Sequence, residues 1–172
     1  MRAFAPWYKT GYQSGAGCAS LIRMSTPARW NAMDDPYNLQ RFIEAQESVY
    51  AQARAELSRG QKTGHWMWFI FPQIRGLGSS ETAQYFAIAS REEATAYAAH
   101  PVLGSRVREC AALVLRIENK PVEQIFGYPD NLKFHSSMTL FARTTEDNQV
   151  FLEALKKYFS GEYDPQTLAR LE

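Results

Sequence analysis

Residues 101–117 read PVLGSRVRECAALVLRI and place their apolar side chains at intervals of four, three, four and three. Such spacing puts these side chains on one face of an α-helix, so the segment predicts an amphipathic helix that starts at Pro101. The apolar stripe consists of Leu103, Val107, Cys110, Val114 and Ile117. We interpret Cys110 as a small buried apolar side chain rather than a reactive thiol, because it lies on this stripe.

Similar helical signals occur on both sides of this segment. An amphipathic helix of about five turns is predicted from Asp35 and Pro36, as N-cap and first helical residue, to the neighbourhood of Gly60. Further helices are predicted from Ser79 or Ser80 through Tyr85 to Ile88, from Ser90 with Glu93, from Pro121 to Phe126, from Asp130 through Asn131 to Phe141, from Val150 to Gly161, and from Asp164 and Pro165 to Leu171. No internal repeat or run of alternating strands accompanies them. The fold class is therefore predicted as all-α, a compact single-domain array of about seven short helices.

Composition limits the class of protein. The 172 residues, 45% hydrophobic and 22% charged, suffice for one domain with its own core. With 19 Lys and Arg against 18 Asp and Glu, the charge balance argues against a nucleic-acid partner and against a polybasic membrane binder. The longest apolar run, residues 66–71, is far shorter than the ~20 residues of a membrane span, and two cysteines form no disulfide framework. A soluble, cytoplasmic protein is expected.

The first 34 residues differ from the remainder of the chain. They are rich in glycine and serine, carry four basic residues against one acidic residue, and follow neither a helical nor an alternating period. We predict a flexible, disordered basic N-terminal arm over residues 1–34 and an α-helical domain over residues 35–172. Met24 and Met33 leave open the alternative that part of the arm is an extension of the gene model without a function.

The segment 64–73, GHWMWFIFPQ, contains an unusual density of aromatic rings. It is predicted to form either one short extended segment or a buried helical turn. In one interpretation the run fills the core, with Trp68 and Phe71 buried. In the other, the indole of Trp66 or Trp68 forms the floor of a pocket for a flat ligand.

Residues 75–80, RGLGSS, lead directly into a predicted helix. Gly76 and Gly78 allow backbone N–H groups to approach an anion, and Arg75 stands beside them as a fork for phosphate or carboxylate. The alternative is an ordinary loop that ends in a serine cap at Ser80 or the residue before it. The segment is neither a Walker loop nor a dinucleotide fingerprint, and no cofactor is predicted.

Histidine and serine residues supply weaker signals. The three histidines are 35 residues apart each time and make no short-range pair of ligands, which argues against a zinc site. Lys133, Ser136 and Ser137 are expected to share a polar helix face beside a pocket. A serine hydrolase is not predicted, because one residue between His135 and a serine establishes neither spatial pairing nor an orienting acid.

Four segments resemble the characteristic motifs of domain-of-unknown-function family 1810. They are HWMWFIFPQ at 65–73, GLG at 76–78, HPVLG at 100–104 and SSMTLF at 136–141. The resemblance extends from about Pro36 to Leu171 and leaves the N-terminal arm outside. It implies a small, mainly α-helical bacterial domain, from a family that offers no settled activity to inherit.

These signals together predict a cleft between residues 65–80 and 133–139 that binds a small anionic, nucleotide-like ligand. An indole would stack on the ligand, while Arg75 and Lys133 would meet its negative charge. The candidate ligand-binding residues are His65, Trp66, Trp68, Gln73, Arg75, Gly76, Gly78, Ser80, Lys133, Ser136 and Ser137. If the cleft catalyses a reaction, hydrolysis with His65 as the base is expected.

The alternative function is a protein–protein interaction module without catalytic activity. In that case an exposed aromatic patch docks a partner protein, which the sequence does not identify, and no pocket forms. A contiguous exposed patch favours docking, whereas a deep cleft with convergent polar groups favours ligand binding.

Deletion of residues 1–33 is expected to leave the melting temperature nearly unchanged, because this segment has no periodic apolar face with which to join the core. Thermal unfolding of the full chain and the shortened chain, followed by far-UV circular dichroism, measures the difference. A decrease of ~10 °C or more would mean that Trp7, Tyr8 or Trp30 packs on the domain.

Overall fold

The computed structural model describes residues 35–172, so the prediction of an N-terminal arm lies outside the described residues. Within this range the chain forms ten α-helices, and the only β-pairing there is one isolated bridge between Ile74 and Ile88. This confirms the all-α prediction. The helices are α1 (Gln40–Glu47), α2 (Tyr50–Ser58), α3 (Met67–Ile70), α4 (Glu81–Tyr85), α5 (Arg91–Ala99), α6 (Leu103–Leu115), α7 (Val122–Phe126), α8 (Asp130–Thr144), α9 (Gln149–Phe159) and α10 (Pro165–Leu171). No helix of residues 35–172 has the length and apolar character to cross a membrane.

Helix α8 occupies the centre of the fold and packs against α5, α7, α9 and α10. Its Phe134 ring lies 5.0 Å from the ring of Phe71 and 4.7 Å from that of Phe126, measured between centroids. Its Phe141 ring lies 5.4 Å from the ring of Phe151. Because aromatic side chains bury large apolar areas, these contacts tie the aromatic segment to the C-terminal helices.

Helix α6 carries the stripe predicted from residues 101–117. Its members inside the helix are buried, and α6 packs against α2, α5 and α9. Burial raises the pKa of the Cys110 thiol to about 12, so this side chain is neutral and unreactive at ordinary pH. The interpretation of Cys110 as a structural residue agrees with this environment.

The predicted long first helix is wrong, because the chain forms α1 and α2 with a break at residues 48–49. Helix α1 packs against α3, whereas α2 packs against α6, so the two segments follow different directions. The start is also later than predicted. Asp35 accepts a hydrogen bond from the backbone N–H of Gln40 at 2.9 Å, and Pro36 lies in the preceding turn rather than in the helix.

The helix predicted to reach Ile88 ends earlier, at Tyr85. Ile88 instead forms a parallel β-bridge with Ile74. Its N–H donates to the carbonyl of Gln73 at 2.9 Å, and its carbonyl accepts from the N–H of Arg75 at 2.8 Å. A bond with a segment 14 residues away has replaced the continuation of the helix.

Three predicted N-caps are confirmed. The hydroxyls of Ser80 and Ser90 accept hydrogen bonds from backbone N–H groups three residues later, and the carboxylate of Asp164 accepts from the N–H groups of residues 166 and 167. Asp130 is an exception, because it is the first residue of α8 and its carboxylate makes no cap bond. Helix α8 also continues to Thr144, beyond the predicted end at Phe141.

The aromatic segment forms the helical turn α3, and its burial differs from the sequence-based expectation. Trp66 is 1% exposed, whereas Trp68 is only partly buried. The expectation of Trp68 as the core indole is therefore wrong, since the single turn of α3 directs Met67 and Phe69 inward on either side of it.

A buried carboxylate holds Trp66 in place. The Oε2 atom of Glu56 accepts hydrogen bonds from the N–H groups of Thr63 and Gly64, both at 2.8 Å, and from the indole N–H of Trp66 at 2.9 Å. Its Oε1 atom accepts from the carboxamide of Gln52 at 2.7 Å. Burial by itself would raise the pKa of Glu56, but these hydrogen bonds outweigh it and lower the pKa to about 2.

Replacement of Trp66 by alanine is expected to reduce the free energy of unfolding by about 3–5 kcal/mol, because it leaves a cavity and removes a donor to Glu56. Trp68→Ala should cost about 1 kcal/mol, since that indole is partly exposed. Urea unfolding followed by circular dichroism at 222 nm measures both. A larger loss for Trp68→Ala than for Trp66→Ala would contradict this assignment of the core indole.

The Glu56 carboxylate is expected to make stability depend on acid pH. Its folded-state pKa lies below the ordinary value of 4.5, so its contribution is present above pH 4.5 and is lost as the pH falls towards 2. The loss is on the order of 3 kcal/mol. In Glu56→Gln this component should be absent.

Urea unfolding at a series of pH values between 2 and 6 measures the difference between the wild-type chain and Glu56→Gln. The matched control is Glu47→Gln, which replaces an exposed acid on α1 and should follow the wild-type curve. Parallel curves for Glu56→Gln and the wild type across this range would show that the buried carboxylate does not carry the effect.

Candidate functional site

A cleft of about 300 Å³ opens between the loop after α3 and the start of α8. Three groups of residues line it: the segment 73–78, the residues around the first turns of α8, and the start of α10. The lining residues are Gln73, Leu77, Gly78, Pro129, Leu132, Lys133, His135, Ser136, Asp164 and Gln166. The cleft thus combines apolar walls with a small number of polar groups, as ligand sites commonly do.

Four of the residues predicted from the sequence line this cleft: Gln73, Gly78, Lys133 and Ser136. They come from segments 55 or more positions apart in the chain, which the fold brings to one concavity. Trp68 is not a lining residue, but its ring lies 4.8 Å from the ammonium of Lys133.

The other predicted residues are elsewhere. His65 and Arg75 are exposed, and Trp66 is in the core. The Arg75 side chain has no hydrogen-bond or ion-pair partner among residues 35–172 and does not line the cleft. Lys133 lines the cleft and Arg75 does not, so the two side chains do not share its lining as the sequence led us to expect.

The glycine loop and the remaining serines have structural contacts. The carbonyl of Gly76 accepts a hydrogen bond from the guanidinium of Arg170 at 3.0 Å. Ser80 caps α4, as the alternative interpretation of this loop proposed. Ser137 is fully buried on the core side of α8, where its hydroxyl has no partner.

Lys133 belongs to a charged triad at the start of α8. The carboxylate of Asp130 accepts from the ammonium of Lys133 at 2.7 Å and pairs with the ammonium of Lys62 at 2.6 Å. Burial of Asp130 favours its neutral form, but the hydrogen bonds and charges of the two lysines outweigh this and lower its pKa. Because two cations share one anion, the triad keeps one positive charge.

The lining of the cleft also carries a carboxylate. Asp164 accepts hydrogen bonds at its Oδ2 atom from the hydroxyl of Ser136 at 2.9 Å and from the hydroxyl of Thr167 at 2.6 Å. Its backbone N–H donates to the hydroxyl of Thr139 at 2.9 Å. These bonds attach the start of α10 to α8 and hold the Asp164 carboxylate in the lining.

The cleft does not assemble a serine–histidine pair. The Nε2 atom of His135 lies 2.8 Å from the carbonyl oxygen of Glu162. That nitrogen carries the proton, because a carbonyl only accepts. The hydroxyl of Ser136 bonds to Asp164 and to a backbone carbonyl rather than to the imidazole, and the imidazole stacks on the ring of Phe159 at 4.0 Å.

The structure does not place His65 in the cleft, where the sequence suggested it as the base of a hydrolysis. That side chain is exposed and is absent from the cleft lining. Within residues 35–172 no three His, Cys, Asp or Glu side chains come together as a set of metal ligands. The polar groups of the lining offer hydrogen bonds and charges to a ligand.

Sequence reasoning missed several lining residues. Asp164 was recognised as a helix cap but not as a site residue, and nothing in the pattern connects it to Ser136, 28 positions earlier. Gln166 carried no signal of its own. The polar character of residues 133–136 is visible in the sequence, and His135 directly precedes the predicted site residue Ser136.

Comparisons with known proteins agree with this architecture. A family model described as "Protein of unknown function (DUF1810)" matches residues 36–171. The crystal structure of the conserved hypothetical protein Rv1873 from Mycobacterium tuberculosis is similar to this chain with a TM-score of 0.79 and 52% sequence identity. The match covers 80% of this chain and 98% of that chain. No curated protein matches.

Proposed function

Since the chain belongs to the family described as protein of unknown function DUF1810, its function has to be argued from its own residues, and we propose that it binds a small anionic molecule in the cleft. The observation that carries this proposal is the triad of Lys62, Asp130 and Lys133. One carboxylate shared by two ammonium groups leaves a positive charge at the cleft wall. A phosphate or carboxylate of a ligand would complete the pairing.

The charges orient the ligand. Asp164 disfavours a second anion beside it, so the anionic group of the ligand is expected to contact Lys133. The carboxamides of Gln73 and Gln166 supply donors and acceptors for neutral polar groups of the same ligand. Leu77 and Leu132 provide apolar walls of the cleft.

The volume of the cleft and the position of the indoles limit the ligand further. About 300 Å³ is at the small end of ligand sites, which favours a compact molecule. Neither Trp66 nor Trp68 lines the cleft, and the ammonium of Lys133 lies over the Trp68 ring. Stacking on tryptophan therefore gives no support for a nucleotide-like ligand, and the proposal rests on charge.

Docking of a partner protein is the second candidate function. Tyr128 is 83% exposed and Leu132 is 50% exposed, and the two flank the beginning of α8 at the edge of the cleft. Tyr85 is the other large apolar side chain with high exposure among residues 35–172, and it lies on α4. These side chains favour a partner over a small ligand only if the cleft itself binds nothing.

The test is a thermal-shift screen of the full chain with phosphate monoesters and with di- and tricarboxylic acids, followed by calorimetry of those that raise the melting temperature. A ligand at ~100 times its dissociation constant adds ~2.7 kcal/mol of stability. Lys133→Gln is expected to weaken binding about tenfold or more, because it removes a charge-assisted contact. The matched control, Arg75→Gln, removes an exposed arginine outside the cleft and should bind normally.

Two results would contradict the proposal. One is a screen in which no compound of either class binds, and the other is equal weakening by Lys133→Gln and Arg75→Gln. If no compound binds, a Tyr128→Ser variant that captures less of a defined partner protein than the wild-type chain does would favour the interaction module.

A further inference from the structure

A second concavity, of about 270 Å³, lies where α2 and α6 end. Its lining residues are Ser58, Arg59, Gly60, Leu113, Arg116 and Ile117. It shares none of them with the cleft that the proposed function uses. Its walls combine two guanidinium groups with two aliphatic side chains, and no acidic residue lines it.

The two arginines are exposed cations without a polar partner among the residues that the structure describes. Arg59 and Arg116 are the residues that follow α2 and α6, and both side chains are exposed. Neither makes a hydrogen bond or an ion pair through its guanidinium within residues 35–172. Two like charges beside one concavity repel each other weakly when it is empty, and an anion between them relieves that repulsion.

Capping of the helix ends does not account for these arginines. The ammonium of Lys157 donates to the carbonyls of Leu115 and Ile117 at 2.7 and 2.6 Å. The hydroxyl of Tyr158 donates to the carbonyl of Val114 at 2.7 Å. Other side chains therefore satisfy the last carbonyls of α6, and the guanidinium of Arg116 keeps all of its donors.

The end of α2 follows the same pattern. The ammonium of Lys120 donates to the carbonyl of Gly60 at 2.7 Å, next to Arg59. Helix C-termini are ordinarily unfavourable for anions because their carbonyls carry partial negative charge. Here Lys120 and Lys157 place positive charge on carbonyls beside the concavity, which offsets that effect. Glu118, the acidic residue nearest in sequence to Arg116, is not part of the lining.

We propose that this concavity is a second binding site, for a small molecule that carries a phosphate or carboxylate group on an apolar body. Guanidinium groups bind such oxyanions through paired N–H donors, and Arg59 and Arg116 would contact the anionic group. Leu113 and Ile117 would contact the apolar body. Binding at this site does not require a ligand in the cleft beside Lys133.

The experiment titrates the full chain with phenyl phosphate, inorganic phosphate and benzoate at constant ionic strength, by calorimetry and by the NMR signals of arginine Nε–H groups. Phenyl phosphate is expected to bind saturably, and Arg59→Gln and Arg116→Gln should each weaken it about tenfold or more. Without ligand, both variants should melt at or above the wild-type temperature, because each removes a repulsive charge and no native contact. Tighter binding of benzoate, with the same dependence on both arginines, would assign the site to carboxylates.

Two control variants separate this site from general charge effects and from the cleft. Arg75→Gln removes an equally exposed and unpartnered arginine that lines neither concavity, and it should bind phenyl phosphate normally. Lys133→Gln should leave the shifts that phenyl phosphate induces in the Nε–H signals of Arg59 and Arg116 unchanged, whereas it weakens binding in the cleft. Loss of phenyl phosphate binding in Lys133→Gln alone would place the ligand in the cleft and overturn the arginine site.

Three further results would overturn the proposal. They are the absence of saturable binding of all three probes at millimolar concentration, unchanged affinity in Arg59→Gln and Arg116→Gln, and binding of heparin without binding of phenyl phosphate. The last result would identify a surface for polyanions instead of a site for a small molecule.

Discussion

The position of the aromatic segment depends on the hydrogen bonds that the buried carboxylate of Glu56 accepts. A charge removed from water is costly unless hydrogen bonds replace its hydration, and Glu56 receives them from the loop that precedes α3 and from Gln52. Its bond with Trp66 fixes the first indole of the segment at a defined point of the core. From that point, the turn of α3 carries the chain to Gln73 and the wall of the cleft.

The two concavities differ in how their cations are held. Beside the cleft, Lys133 is oriented by Asp130, which also holds Lys62, so its charge is partly neutralised and its position is fixed. At the ends of α2 and α6, the guanidinium groups of Arg59 and Arg116 have no such partner within the described part of the chain, residues 35–172. The first arrangement costs less conformational entropy when a ligand binds, and the second offers more donors.

Sequence patterns predicted the helices whose limits depend on neighbouring residues. The cap at Asp164, the stripe of α6 and the end of α9 near Gly161 rest on bonds and contacts between residues at most six apart in the chain. The break between α1 and α2 and the early end of α4 depend on distant segments. Ile88 lies outside α4 because it pairs with Ile74, and no local sequence pattern contains that information.

For the candidate site, the sequence by itself determined which short segments carry polar and aromatic residues together, and two of them, 73–78 and 133–136, meet at the cleft. Only the tertiary structure decided that Trp66 rather than Trp68 is the buried indole, that Arg75 does not line the cleft, and that Asp164 does. The physical reason is that side-chain burial and charge pairing are set by groups far apart in the chain. Periodicity reports which face of a helix is apolar, but it does not report which helix or loop that face meets.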